Sequence, residues 1–333
     1  MTLPDLTGAL ALAGLALYAV TGGADFGGGF WDRLARGPRK AEQRELIETA
    51  LAPIWETNHV WLIFVVVVLF SGFPAAFAAV GIALGVPLSL ALVGIVLRGA
   101  AFVFRQYGRG TEADARRWGR VFGISSLLAP FFLGTSLAAL TEGRIRIAAD
   151  GAITAPTAAW WGIYPIAVGL FVVALFAYLA AVYLCLEARQ SGSSALADDF
   201  RARALAAGLV AGLLSILVRA IAGRSGGHFA QALLSSPWSL AAEIGVAVLA
   251  LLSLGAVVRR RFQLARIFAV AQVLAVVLVF GIAQHPFLIA PDLRLVEAAA
   301  PTATQQMLLV VMGVGALLLA PALIWLFRTF KRA

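Results

Sequence analysis

Between Glu56 and Arg98 the chain runs for 41 residues without an Asp, Glu, Lys or Arg. Coiled as an α-helix at about 1.5 Å per residue, that stretch is about 60 Å long, twice the roughly 30 Å hydrocarbon core of a bilayer. Ser71-Gly72-Phe73-Pro74, near its middle, is its one turn-like break. The stretch predicts two membrane spans in succession.

Seven further apolar runs follow the same logic: Leu6 to Ala24, Val121 to Thr141, Trp160 to Leu186, Ala204 to Ala222, Trp238 to Val258, Ile267 to Ala283 and Met307 to Phe327. Arg219 and Glu243 interrupt two of them, so the expectation is nine spans with eight as the fallback. Only 13% of residues are charged, against about 25% in an ordinary globular domain. The fold class is an all-α integral membrane protein, a bundle of helices in a single membrane domain over residues 1–333, with no separate soluble domain. Met1-Thr2-Leu3-Pro4-Asp5 lacks the basic start of a cleaved signal peptide, so the first run is read as a retained helix.

The net charge of +9 resides in short basic clusters between apolar runs, a pattern of membrane loops and not of a nucleic-acid surface. With nine spans, 20 of the 26 Lys and Arg residues fall on one side, including Arg33 to Arg44, Arg105 to Arg120, Arg259 to Arg266 and the C-terminal cluster. Five, Arg144, Arg146, Arg219, Arg224 and Arg294, fall on the other, and Arg98 lies within a span. Basic residues in short loops are retained in the cytoplasm. The expected orientation is therefore N-terminus periplasmic and C-terminus cytoplasmic.

Charges inside the apolar layer cost a few kcal/mol each on insertion scales, roughly, and need individual explanation. Asp25 closes the first run at its cytoplasmic end, Glu56 lies about a turn into the second, and Arg98 lies about two turns before the cytoplasmic end of the third. Consecutive helices are usually neighbours, so the three form a plausible acid-base cluster. Such a cluster either carries protons or only neutralises its own burial, and position alone leaves both open. Arg219 and Glu243, each about a turn inside the opposite ends of their spans, either pair across neighbouring helices or snorkel separately to the interface.

The glycines around Asp25 permit tight turns and close backbone approach. They do not follow a strand, which argues against a nucleotide loop. His59, His228 and His285 show no spacing that supports haem or metal, and His59 is read as a polar packing residue. Cys185 is the single cysteine, so neither an intrachain disulfide nor a cysteine metal motif is available. Most of the tryptophans sit near span ends, as in an interfacial aromatic belt.

The order and placement of Gly23-Ala24-Asp25-Phe26-Gly27-Gly28-Gly29, Pro53-Ile54-Trp55-Glu56-Thr57-Asn58-His59-Val60-Trp61, Phe73-Pro74 and Arg98 resemble subunit II of cytochrome bd quinol oxidase. Near the other end, His285-Pro286-Phe287-Leu288-Ile289-Ala290-Pro291 looks like that family's proline-rich loop before the last helix. The resemblance implies a place in a respiratory complex of the bacterial inner membrane that oxidises quinol and reduces dioxygen to water. Two b haems, haem d and the quinol-oxidising loop would belong to subunit I. This chain would be its haem-free partner, with small single-helix accessory subunits, lipid and quinone as further associates.

The resemblance also implies a cytoplasmic proton-uptake path through Asp25 and Glu56, with Asn58, His59 and Arg98 in support, and an apolar oxygen route near Trp61. Two departures stand out: Glu56 replaces the Asp of many members, and Gly22 replaces an Asp of some. The first keeps a titratable group. The second removes one, which implies a shorter or differently wired path. A proton-coupled transporter also needs intramembrane acids, but it calls for broken helices at mid-membrane, whereas the acids here lie towards one edge. A scaffold that only anchors subunit I is the third alternative.

Overall fold

The computed structural model describes residues 2–51, 55–107, 111–225 and 227–331. Its helices are α1 (Leu3–Arg33), α2 (Lys40–Leu51), α3 (Trp55–Gly72), α4 (Pro74–Ala83), α5 (Gly85–Tyr107), α6 (Glu112–Ala139) and α7 (Ile163–Gln190). They continue with α8 (Ser194–Ser225), α9 (His228–Ser235), α10 (Pro237–Val258), α11 (Phe262–Gln284), α12 (Leu295–Ala298) and α13 (Thr302–Lys331). Two small hairpins, β1 (Arg146–Ile147) with β2 (Ile153–Thr154) and β3 (Phe287–Ile289) with β4 (Leu293–Arg294), and a 3-10 turn (Thr157–Ala159) complete the described elements.

Among the described residues, eight helices are individually long and apolar enough to cross a bilayer: α1, α5, α6, α7, α8, α10, α11 and α13. The ninth predicted span is α3, which passes the same test only together with α4, bent from it by 117°. The long uncharged stretch thus forms three helices rather than two. Pro74 has no N–H to continue α3 and restricts Phe73 before it, so the chain stops at Gly72 and restarts in α4. The freed Gly72 carbonyl accepts hydrogen bonds from the Gln305 Nε2 (2.8 Å) and the Ala300 amide (2.9 Å). Gln305 in turn accepts one from Thr7, which ties α1, α3 and α13 together.

Helix α1 is the hub, in contact with α3, α6, α7, α11 and α13. Thr2 and Asp5 form a reciprocal cap at its start, satisfying amide groups that a helix leaves open there. The glycine run corrects the expectation that Asp25 ends the first span. Residues 22–29 are continuous helix, α1 extends to Arg33, and Asp25 sits about 12 Å inside it. The glycines serve close approach and not turns: a Cβ on Gly27 would collide with the Phe176 carbonyl oxygen of α7.

The two ends of the bundle differ. At the α2 end, ion pairs link the connections: Arg39 to Asp199, Arg105 to Glu48 and Arg260 to Asp198. At the hairpin end, Asp292 accepts hydrogen bonds from Arg146 (2.7 and 3.0 Å) and from the Ile147 amide (2.8 Å), joining the two hairpins. The bonded Arg146 guanidinium, helped by that amide, holds the Asp292 carboxyl below the usual carboxylate range.

Candidate functional site

Arg98 is completely buried on α5, a helix that packs chiefly on α6. Its long side chain reaches across to α1, where Nη2 donates to Asp25 Oδ1 at 2.6 Å and to the Asp25 carbonyl at 3.3 Å. Both side chains are 1% exposed. The guanidinium also lies over two aromatic faces, 4.9 Å from the Phe122 ring centre and 5.4 Å from that of Phe26. Those rings contribute cation–π attraction where water would otherwise solvate the charge.

Among the described residues, Arg98 Nε and Nη1 and Asp25 Oδ2 have no hydrogen-bond partner. A buried pair left partly unsatisfied is expensive, and replacement of such pairs by apolar side chains is often stabilising. Its presence is therefore poorly explained by stability alone. Asn58, buried on α3, is a hydrogen-bonding neighbour of the Asp25 carboxyl group, and His59 follows it in the chain. The structure thus gathers Asp25, Asn58, His59 and Arg98. Glu56 lies at the start of α3, but its side chain, with those of Trp55 and Thr57 and all of Pro53 and Ile54, falls outside the described residues. Trp61 is half-buried on α3, its ring 6.3 Å from that of Phe64.

Two further buried polar side chains, one in the cluster and one beyond it on α1, did not stand out individually in the sequence. Tyr18, one of many aromatics in an apolar run, is buried with its hydroxyl unpartnered among the described residues. Its ring packs edge-on against His59 and covers Gly22, where an added Cβ would lie 2.8 Å from it. Asp32, which reads as a loop charge once the first span is closed at Asp25, is fully buried in the last turn of α1. It accepts from Arg105 at 2.8 Å, with Arg44 3.7 Å away, and Arg105 also reaches Glu48 at 3.2 Å. The seven-residue interval from Asp25, which keeps both on one helix face, was the available clue.

Away from this cluster, Arg219 on α8 and Glu243 on α10 pair at 2.7 Å, with side chains 45% and 22% exposed. His59 is wedged between the Tyr18 and Phe26 rings, with ring centres 6.1 and 6.2 Å away. His285 contacts Asp5 at 3.2 Å, and His228 contacts the His285 carbonyl. Among the described residues no group of three His, Cys, Asp or Glu side chains is arranged to hold a metal.

The family model for cytochrome bd terminal oxidase subunit II matches residues 3–330. The chain belongs to that family. A solved structure, described as that of bd oxidase from Geobacillus thermodenitrificans, superposes with a TM-score of 0.81 at 25% identity, covering 99% of both chains. Among curated relatives, the cytochrome bd ubiquinol oxidase subunit 2 of Bacillus subtilis is 32% identical over 157 residues, 46% of this chain and 44% of the relative. A putative cytochrome bd menaquinol oxidase subunit II of the same organism is 31% identical over 117 residues, 35% of this chain and 33% of the relative. The Escherichia coli cytochrome bd-I ubiquinol oxidase subunit 2 is 28% identical over 130 residues, 38% of this chain and 32% of the relative. The matches thus span less than half the length of these curated relatives. Membership of this subunit II family and the eight apolar helices make the chain a multi-pass protein of the bacterial inner membrane.

Proposed function

We propose that this chain is the haem-free subunit of a bd-type quinol oxidase, pairing with a haem-bearing subunit I and supplying a cytoplasmic proton-uptake path through Glu56 and Asp25. Subunit I would hold the two b haems and haem d and bring quinol and dioxygen to them, with small accessory subunits, lipid and quinone as further associates. The α2 end, where the basic clusters gather, would face the cytoplasm. The N-terminus would then be periplasmic.

The observation that carries the proton path is the buried Asp25 and Arg98 pair. Arg98 sets a guanidinium 2.6 Å from Asp25 Oδ1, so a positive charge lies directly beside the carboxyl group. A carboxylate in that position accepts a proton arriving from the cytoplasmic side and releases it again once a negative charge develops further in. Asn58 and His59 orient it. A transporter reading lacks comparable support, because the sharp break between α3 and α4, the one found among the described residues, carries no charged residue.

The test is quinol-driven oxygen consumption and charge translocation by the purified complex carrying Glu56→Gln or Asp25→Asn. A positioned proton-transfer group contributes on the order of a hundredfold or more, so turnover should collapse while the haem spectra stay intact. Near-normal rates in both variants would leave the chain a scaffold.

A further inference from the structure

The cluster around Asp25 does not by itself reach the end of the bundle, since α1 continues for about 12 Å beyond Asp25. That distance is bridged by Asp32. Seven residues at 3.6 per turn bring it back to nearly the same face of α1, about 10.5 Å further along. Its side chain is 1% exposed, and its Oδ2 has no hydrogen-bond partner among the described residues. It is therefore a second buried carboxylate with an oxygen left over.

Asp32 also lines a cleft, together with Ile47, Glu48, Phe102, Arg105 and Phe122, with room for about one water molecule. Glu48 and Arg105 are partly exposed and make its polar lip. Phe122 makes its inner wall, and the same ring carries the Arg98 guanidinium 4.9 Å from its centre. The cleft and the Asp25 pair thus lie on adjoining sides of one aromatic side chain. Purely structural ion pairs at a loop junction would need neither a buried carboxylate oxygen without a partner nor a cleft lined by that residue.

We propose that Asp32, held by Arg105 at the foot of the cleft it shares with Glu48, is the intake carboxylate through which protons enter this subunit on their way to Asp25. This rests on the reading of Asp25 and Glu56 as an uptake path and adds its mouth. The step is a simple relay: the Asp32 carboxylate takes a proton from water in the cleft, passes it inward past Phe122, and returns to the ionised form that Arg105 binds. Arg105 acts as a positioning residue.

The experiment uses the purified, lipid-reconstituted complex and compares Asp32→Asn, Asp32→Glu and Asp25→Asn. Asp32→Asn keeps the shape and loses the titratable group, so turnover and proton uptake should fall on the order of tenfold with unchanged haem spectra, less than for an inner group because water reaches the cleft. Asp32→Glu should restore most of the rate, and a small membrane-permeant acid such as acetic acid should rescue Asp32→Asn, which it would not do for a packing defect. If Asp25→Asn is slow but Asp32→Asn is normal, or slow without rescue, the mouth lies elsewhere and the present inference fails alone. If both variants are normal, the uptake reading itself falls. Should Asp32→Asn not assemble, Ile47→Phe fills the cleft while leaving every ion pair in place. It should slow uptake severalfold, and a normal rate would overturn the proposal.

Discussion

Two of the arginine–carboxylate pairs that join helices of the bundle are nearly the same length. Arg98 meets Asp25 at 2.6 Å and Arg219 meets Glu243 at 2.7 Å. The first pair is shut away at 1% exposure on both sides, backed by aromatic faces, with donors unmet among the described residues. The second opens to the surroundings, Arg219 being 45% exposed, about 9 Å from the end of its helix. Separation does not distinguish them, but the medium does. Charges in a low-dielectric interior interact several times more strongly than at a surface and are costly to leave alone.

The sharpest way to break this comparison is to remove the buried cation. Arg98→Met leaves Asp25 uncompensated and should cost about 3–5 kcal/mol, read as a large drop in the thermal midpoint of the detergent-solubilised complex or as failure to assemble. The double change Arg98→Met with Asp25→Leu should recover most of that loss. A single variant that melts like the parent would erase the distinction between the pairs. Next in size is Gly27→Ala on α1, where the new methyl group meets the Phe176 carbonyl. Overpacking of that kind costs about 1–3 kcal/mol, whereas Gly212→Ala, with nothing within 4 Å of its added Cβ, should be neutral in the same melt.

The hairpin end supplies a pH test. Because Arg146 lowers the Asp292 carboxyl below its ordinary value, the stabilisation is fully present above that ordinary value and is lost as pH falls through the lowered one. Below about pH 4, hydrogen exchange should rise in the two hairpins before it rises in the spans, and Asp292→Asn should show the fast exchange already at neutral pH. The smallest effect is expected from Glu243→Gln. The more exposed of the two pairs should contribute under about 1 kcal/mol, so a shift as large as that of Arg98→Met would overturn the comparison from the other side.

Much of this arrangement was legible because membrane insertion penalises charge so steeply. Asp25, Arg98, Arg219 and Glu243 stood out against apolar runs, and Phe73-Pro74 marked the break after α3. What escaped was Asp32, since a charge next to a basic cluster reads as loop unless the glycine run before it is known to stay helical. Glycine weakly disfavours helix in isolation, but here α7 packs so tightly on α1 that only glycine fits at Gly27. Tertiary packing overrode the local preference. Tyr18 escaped because nothing in an apolar run distinguishes a tyrosine with a polar task from one that merely fills space. The extra helix α4 escaped because an uncharged stretch reports total length but not direction.

The Gly72 carbonyl finally bears on how the chain is made. Its partner Gln305 lies 233 residues later, so at roughly 5–20 residues per second a ribosome needs on the order of 10–50 s to deliver it. Throughout that interval the end of α3 stays unfinished, and neither Thr7 nor Gly72 has the amide side chain that will join them. The seam between α1 and α3 closes only when α13 enters the bilayer beside them, and a chain cut short before Ala300 would present the quality-control machinery of the cell with that seam open.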